Sequence, residues 1–73
     1  TMKKIKKIKI TVNGKVNLIT ENTSLSSLIY ALKIPIKKVA IELNQEIVDK
    51  KKINKILLKK NDQIEIVHFI GGG

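Results

Sequence analysis

Residues 7–20 read KIKITVNGKVNLIT, and this stretch decides what kind of fold the rest of the chain must complete. Ile8, Ile10 and Val12 alternate with Lys7, Lys9 and Thr11, the period of two that gives a β-strand one apolar and one solvated face. Lysines on the solvated face also discourage edge-to-edge association. Asn13 and Gly14 then break the pattern. Both central positions of a type I′ turn need positive φ, which makes Asn-Gly between two alternating runs a strong hairpin signal. The returning run, KVNLITE, is expected to turn Val16 and Leu18 inward. Residues 6–21 are thus expected to form a β-hairpin.

Beyond the hairpin the period changes. In NTSLSSLIYALKIP, Leu25, Leu28, Ile29 and Leu32 stand at i, i+3, i+4 and i+7, one apolar stripe on a helix. Thr23 or Ser24 can cap its first amides, and Pro35 forbids continuation beyond Ile34. KVAIELN is β-branched and short, a third strand; Asn44 and Gln45 make a turn, weaker than Asn-Gly; EIVDK is a brief fourth strand. KKINKILLKK predicts a short helical turn that places Ile53, Ile56 and Leu57 on the core, Asn61 and Asp62 make the last turn, and QIEIVHF is the closing strand. The order, two strands, helix, two strands, short turn, strand, reads as an α+β domain with a helix on one sheet face. The domain is expected over residues 2–70, with residues 71–73 as a flexible glycine tail; Thr1, ahead of Met2, is set aside.

The totals are consistent with one small domain. A 73-residue chain buries only about 60% of the surface it exposes when unfolded. Without cysteine, neither disulfides nor thiolate metal sites can reinforce it, and no metal-ligating cluster is visible. No apolar run approaches the roughly 20 residues of a bilayer span, and no secretion signal is visible near the N-terminus, so a cytoplasmic protein with no membrane partner is expected. The net charge of +9 comes from 15 basic residues, all lysine, against 6 acids. Such a balance can mark a nucleic-acid partner. Yet the chain has no arginine to fork onto phosphate or guanine, and only Tyr30 and Phe69 to stack on bases. Its lysines are scattered along the whole length, as expected of solvation, and no nucleic-acid partner is expected.

The tail raises the chemical question. A carboxylate that must enter another protein's active site needs a thin tether with adaptable dihedrals, and glycine supplies both because it lacks Cβ. A carboxylate is also a poor electrophile; adenylation by ATP gives it AMP as leaving group, and a sulfur nucleophile can then attack. The chain holds no side-chain constellation for catalysing this. His68, the only histidine, has no orienting carboxylate or nucleophile beside it in sequence. In the closing strand, Ile64, Ile66 and His68 share one face, and Glu65, Val67 and Phe69 the other. Val67 and Phe69, with Ile70 beside them, are candidate docking contacts; alternatively, Phe69 folds over the sheet edge and closes the core. Tyr30, on the helix, is expected to pack.

The elements ITVNG, TSLSSLIYAL, VAIELNQEIV and above all NDQIEIVHFIGGG resemble the thiamine-biosynthesis sulfur carrier family, ubiquitin-like β-grasp proteins, over residues 2–73. The resemblance implies a mixed sheet of about five strands packed on one helix. It implies that Gly73 carries the sulfur as a thiocarboxylate, with Gly72 and Gly71 as spacers. It further implies three partners: an E1-like adenylyltransferase that uses ATP and magnesium, a sulfur donor such as a cysteine desulfurase, and thiazole synthase. The chain itself would bind no cofactor, have no catalytic site and be a monomer on its own. Asn44 and Gln45 stand where the family often has Asn-Gly, and Asn61 and Asp62 where Asp-Gly-Asp is common, which puts the turn geometry in question. The small subunit of molybdopterin synthase is the alternative carrier, and a basic RNA-binding β-grasp module the alternative from another class.

Overall fold

The computed structural model describes residues 5–69. Its elements are β1 (Lys7–Val12), β2 (Lys15–Thr20), α1 (Leu25–Ala31), a 3-10 turn (Ile36–Lys38), β3 (Val39–Leu43), β4 (Glu46–Ile47), a longer 3-10 segment (Lys50–Lys55) and β5 (Gln63–His68). The strands form one mixed sheet in the order β2-β1-β5-β3-β4. β5, last in sequence, is therefore central in space, parallel to β1 and antiparallel to β3. Five strands and one helix in this order are the α+β arrangement that the pattern predicted.

One face of the sheet carries the core. Ile10, Val39, Ile41, Ile64 and Ile66 are buried there, and Leu25, Leu28 and Ile29 meet them from α1. Ile53 and Leu58 complete the cluster. Burying such side chains contributes about 1.5–3 kcal/mol each before chain entropy is counted, and no disulfide assists.

The helix start and stop are local chemistry. Of the two candidate caps, Ser24 is the one used: its Oγ accepts the Ser27 N–H at 3.1 Å. Thr23 instead donates its hydroxyl to the Thr20 carbonyl. The helix ends at Ala31, earlier than Pro35 alone requires, because Lys33 takes φ 57°. Lys33 N–H then bonds Tyr30 O and Ile34 N–H bonds Ile29 O, a Schellman closure built without glycine. Leu32, expected on the apolar stripe, consequently lies at the C-cap and is exposed.

Four further expected packing positions are corrected. Val16 and Leu18 do not face inward; they are 62% and 66% exposed. The two-residue turn pairs Val12 with Lys15, so Val16 stands opposite Thr11 and Leu18 opposite Lys9, all on the outer face. Ile19, opposite Ile8, is the β2 residue packed against the core. Leu57 is half exposed and Leu58 buried. The helical period fails there because the 3-10 segment ends at Lys55 and residues 56–58 run extended beside residues 23–25, with Leu25 N–H bonded to Ile56 O and Leu58 N–H to Thr23 O. Tyr30 does not pack: at 86% exposure it is the most exposed of the large hydrophobic side chains described.

Candidate functional site

The site expected from the sequence begins where β5 ends. Ile64 and Ile66 point into the core at 0% and 7% exposure, and Val67 stands on the opposite face at 55%. The ladder with β3 pairs Ile66 with Ile41, Val67 with Ala40 and His68 with Val39. Phe69 N–H adds one further bond, to Lys38 O at 2.9 Å. The chain is thus held in the sheet up to Phe69, the last described residue, and Ile70, Gly71, Gly72 and Gly73 lie outside the described residues. A rigid strand leading directly into a glycine tail is what presentation of a carboxylate requires.

Phe69 is 44% exposed and does not belong to the core cluster. Its ring instead lies under a cation, with Lys50 Nζ 5.3 Å from the ring centroid. The same ammonium donates to Ile36 O at 2.9 Å and to Val39 O at 2.6 Å. Lys50 therefore ties together the turn before β3, the first residue of β3 and Phe69, the residue that follows β5. Nothing in the sequence singled it out, since it opens a run of three lysines, Lys50, Lys51 and Lys52. Val67 and its ladder partner Ala40 lie on the outer face of the sheet, next to the exposed Phe69 in sequence.

Asn13 has a second task that the hairpin signal did not reveal. β1 ends while β5 continues, which would leave the far rungs of β5 without a partner on that side. Asn13 N–H bonds Ile64 O at 2.8 Å. Its side chain then supplies the next rung: Oδ1 accepts Ile66 N–H at 2.7 Å and Nδ2 donates to Ile66 O at 3.3 Å. Backbone polar groups near the core need such partners.

His68 is exposed opposite Val39. Among the described residues, no three His, Cys, Asp or Glu side chains group as they would around a metal. No helix in the described residues is long and apolar enough to cross a membrane.

The chain matches the ThiS family over residues 6–73. It is 36% identical to the sulfur carrier protein ThiS of Bacillus subtilis over 63 residues, covering 85% of this chain and 96% of that protein. It is also 39% identical over 66 residues to a thiazole synthase of Magnetococcus marinus; the match takes in 90% of this chain but only 20% of that protein. A thiazole synthase of Paramagnetospirillum magneticum is matched over a similar share, so the chain spans about a fifth of the length of these two relatives. In structure it is similar to the thiamine biosynthesis protein ThiS of Geobacter metallireducens, with a TM-score of 0.79 and 32% identity, covering 90% of this chain and all of that one. A family match over nearly the whole chain, a full-length relative and a shared β-grasp sheet agree: the chain belongs to the ThiS family.

Proposed function

We propose that this protein is a sulfur carrier in thiamine biosynthesis, that Gly73 is its working residue, and that its chemistry is supplied by partners. The single observation that carries the reading is the continuity of the central strand into the tail: β5 stays paired to Phe69, and the family match runs on to residue 73. In the first step the Gly73 carboxylate attacks the α-phosphorus of ATP in an E1-like adenylyltransferase, releasing pyrophosphate and forming an acyl adenylate. The outer sulfur of a protein persulfide, charged by a donor such as a cysteine desulfurase, adds to that carbonyl and expels AMP; a thiol then attacks the protein-side sulfur of the acyl disulfide, forming a new disulfide and releasing the acyl group with its sulfur. The resulting thiocarboxylate is a better nucleophile than the carboxylate and delivers its sulfur to thiazole synthase. The similarity to parts of two thiazole synthases supports that last partner.

Each feature of the tail root has a task in this scheme. Gly71 and Gly72 lack Cβ atoms and so keep the tether narrow and the terminal carbonyl open to attack. Val67 and Phe69, with Ile70 beyond them, offer apolar contact where the partner's channel closes around the tail. The carrier itself supplies position and an acyl group, not acid–base catalysis.

Intact-mass analysis tests this. After incubation with adenylyltransferase, ATP, magnesium, a sulfur donor and a thiol reductant, the chain gains about 16 Da, oxygen replaced by sulfur, confined to the C-terminal peptide. Adding one residue after Gly73 abolishes the gain. A mass gain elsewhere in the chain, or one that survives the extension, rules the reading out.

A further inference from the structure

The lysines are scattered in sequence, but the fold gathers five of them at one end. Lys37 and Lys38 close the 3-10 turn that leads into β3, and Lys38 O accepts the Phe69 N–H. Lys50 reaches across to Ile36 O and Val39 O and covers the Phe69 ring, which brings the adjacent Lys51 and Lys52 to the same end. Asp49 is the acid beside them, and its Oδ1 is engaged by Lys51 N–H at 2.9 Å as the cap of its own 3-10 segment. The acids of the sheet lie toward the opposite end: Glu42 faces Glu65, Glu46 faces Leu43, and Asp62 accepts from Asn44 Nδ2. Lys37, Lys38, Lys51 and Lys52 are all exposed, so a cationic collar lies at the end of the sheet where Phe69 stands, just ahead of the glycines in sequence.

We infer that this collar is a docking surface for an acidic protein face at the mouth of the site that receives the tail. The inference rests on the carrier reading above and adds the chemistry of the partner's surface. At physiological salt a charge acts over about 8 Å, so only charges next to the tail root can guide it into a channel; the remaining lysines raise solubility without aiming the tail. Clustered charge of one sign raises encounter rates by about tenfold or more when the partner is complementary. A protein face fits better than a nucleic-acid backbone. The collar holds no arginine, and its one aromatic ring, Phe69, already has the Lys50 ammonium over it, leaving it unsuited to base stacking.

The test compares two full-length variants of equal charge. One reverses the collar, Lys37→Glu, Lys38→Glu, Lys51→Glu and Lys52→Glu; Lys50 is kept because it bonds the backbone. The other reverses Lys7, Lys9, Lys59 and Lys60, exposed lysines at the far end tied together by the Asn61 N–H to Lys9 O bond, each to Glu. ATP–pyrophosphate exchange with the cognate adenylyltransferase is measured across a salt series, with thermal melts as the check on folding. The expected result is a fall in kcat/KM of about tenfold or more at low salt for the collar variant, with kcat at saturation preserved. The far-end variant loses about threefold at most, and the gap closes as salt rises. If the collar variant does not fold, the same four positions changed to Gln serve in its place, and the wild-type protein must itself lose kcat/KM with rising salt. Equal losses in both variants, or a loss in neither, overturn the inference. So does binding of a 20-nucleotide single-stranded RNA that the collar variant loses while exchange is untouched. No exchange by the wild-type protein at any salt overturns the carrier reading and this inference with it.

Discussion

The two hairpin turns of this sheet have the same geometry and different means of reaching it. In the first, Asn13 and Gly14 take φ 49° and 81°; in the second, Asn44 and Gln45 take φ 51° and 73°. Both loops have two residues, between Val12 and Lys15 and between Leu43 and Glu46, so both are type I′ turns. The first joins a six-rung ladder and has glycine at its second position. The second joins a two-rung ladder and forces a side-chain-bearing Gln into the left-handed region, at a cost of roughly 1–2 kcal/mol. What offsets that cost is tertiary. Asn44 Oδ1 accepts Gln63 N–H at 2.9 Å, its N–H bonds Gln63 O at 2.7 Å, and its Nδ2 donates to Asp62 Oδ1 at 3.0 Å. Asn13 does the equivalent on the other side of β5, on Ile64 and Ile66. The two turn asparagines thus grip the central strand from opposite sides, one at its first residue and one at its middle. The comparison teaches that a turn residue chosen for its φ can also serve as a rung of the sheet.

Substitutions can break this symmetry or sharpen it. The largest effect is expected from Asn44→Ala, which removes two side-chain bonds and leaves alanine at positive φ; a loss of about 2 kcal/mol in urea unfolding is expected. Asn13→Gly preserves the turn conformation and deletes only the side-chain rung. It is expected to cost about 1 kcal/mol, with faster amide exchange at Ile66 and unchanged exchange at Gln63. A loss spread evenly over both amides would mean that the two turns are not independent grips. The smallest effect is a gain: Gln45→Gly relieves the left-handed strain and, after the added freedom of the unfolded chain, stabilises by about 0.5 kcal/mol. In a domain of this size each kcal/mol moves Tm by about 4–8 °C, so thermal melts resolve all three. A destabilised Gln45→Gly protein would show that the Gln side chain makes a contribution beyond tolerating the turn.

Legibility followed the range of the forces involved. The first hairpin, the apolar stripe of α1, the short strands β3 and β4 and the closing strand β5 were all readable, because alternation, helical period and turn chemistry act over a few residues. The misreadings arose where register mattered. Val16 and Leu18 look inward-facing by composition, but a two-residue turn forces them opposite Thr11 and Lys9 on the outer face. A one-residue slip exchanges every side chain between faces, so counting from the turn is the signal that would have corrected this. Leu57 was misplaced because KINKILLKK looks helical, while the observed segment changes at Lys55 from 3-10 to extended. At the candidate site, Val67 and Phe69 were legible from parity. Lys50 was not, since its partners Ile36, Val39 and Phe69 are separated from it by between 11 and 19 positions.

By itself the sequence determined the elements, the hairpin turn at Asn13 and Gly14, and the glycine tail that follows the last strand, because these depend on each residue's own dihedral and burial preferences. Only the tertiary structure decided that the last strand lies in the middle of the sheet, that two asparagines clamp it, and that lysines far apart in the chain meet at the end of the sheet where Phe69 stands. Those are pairings between distant segments, and no local preference encodes which distant partner closes a hydrogen bond or gathers a charge.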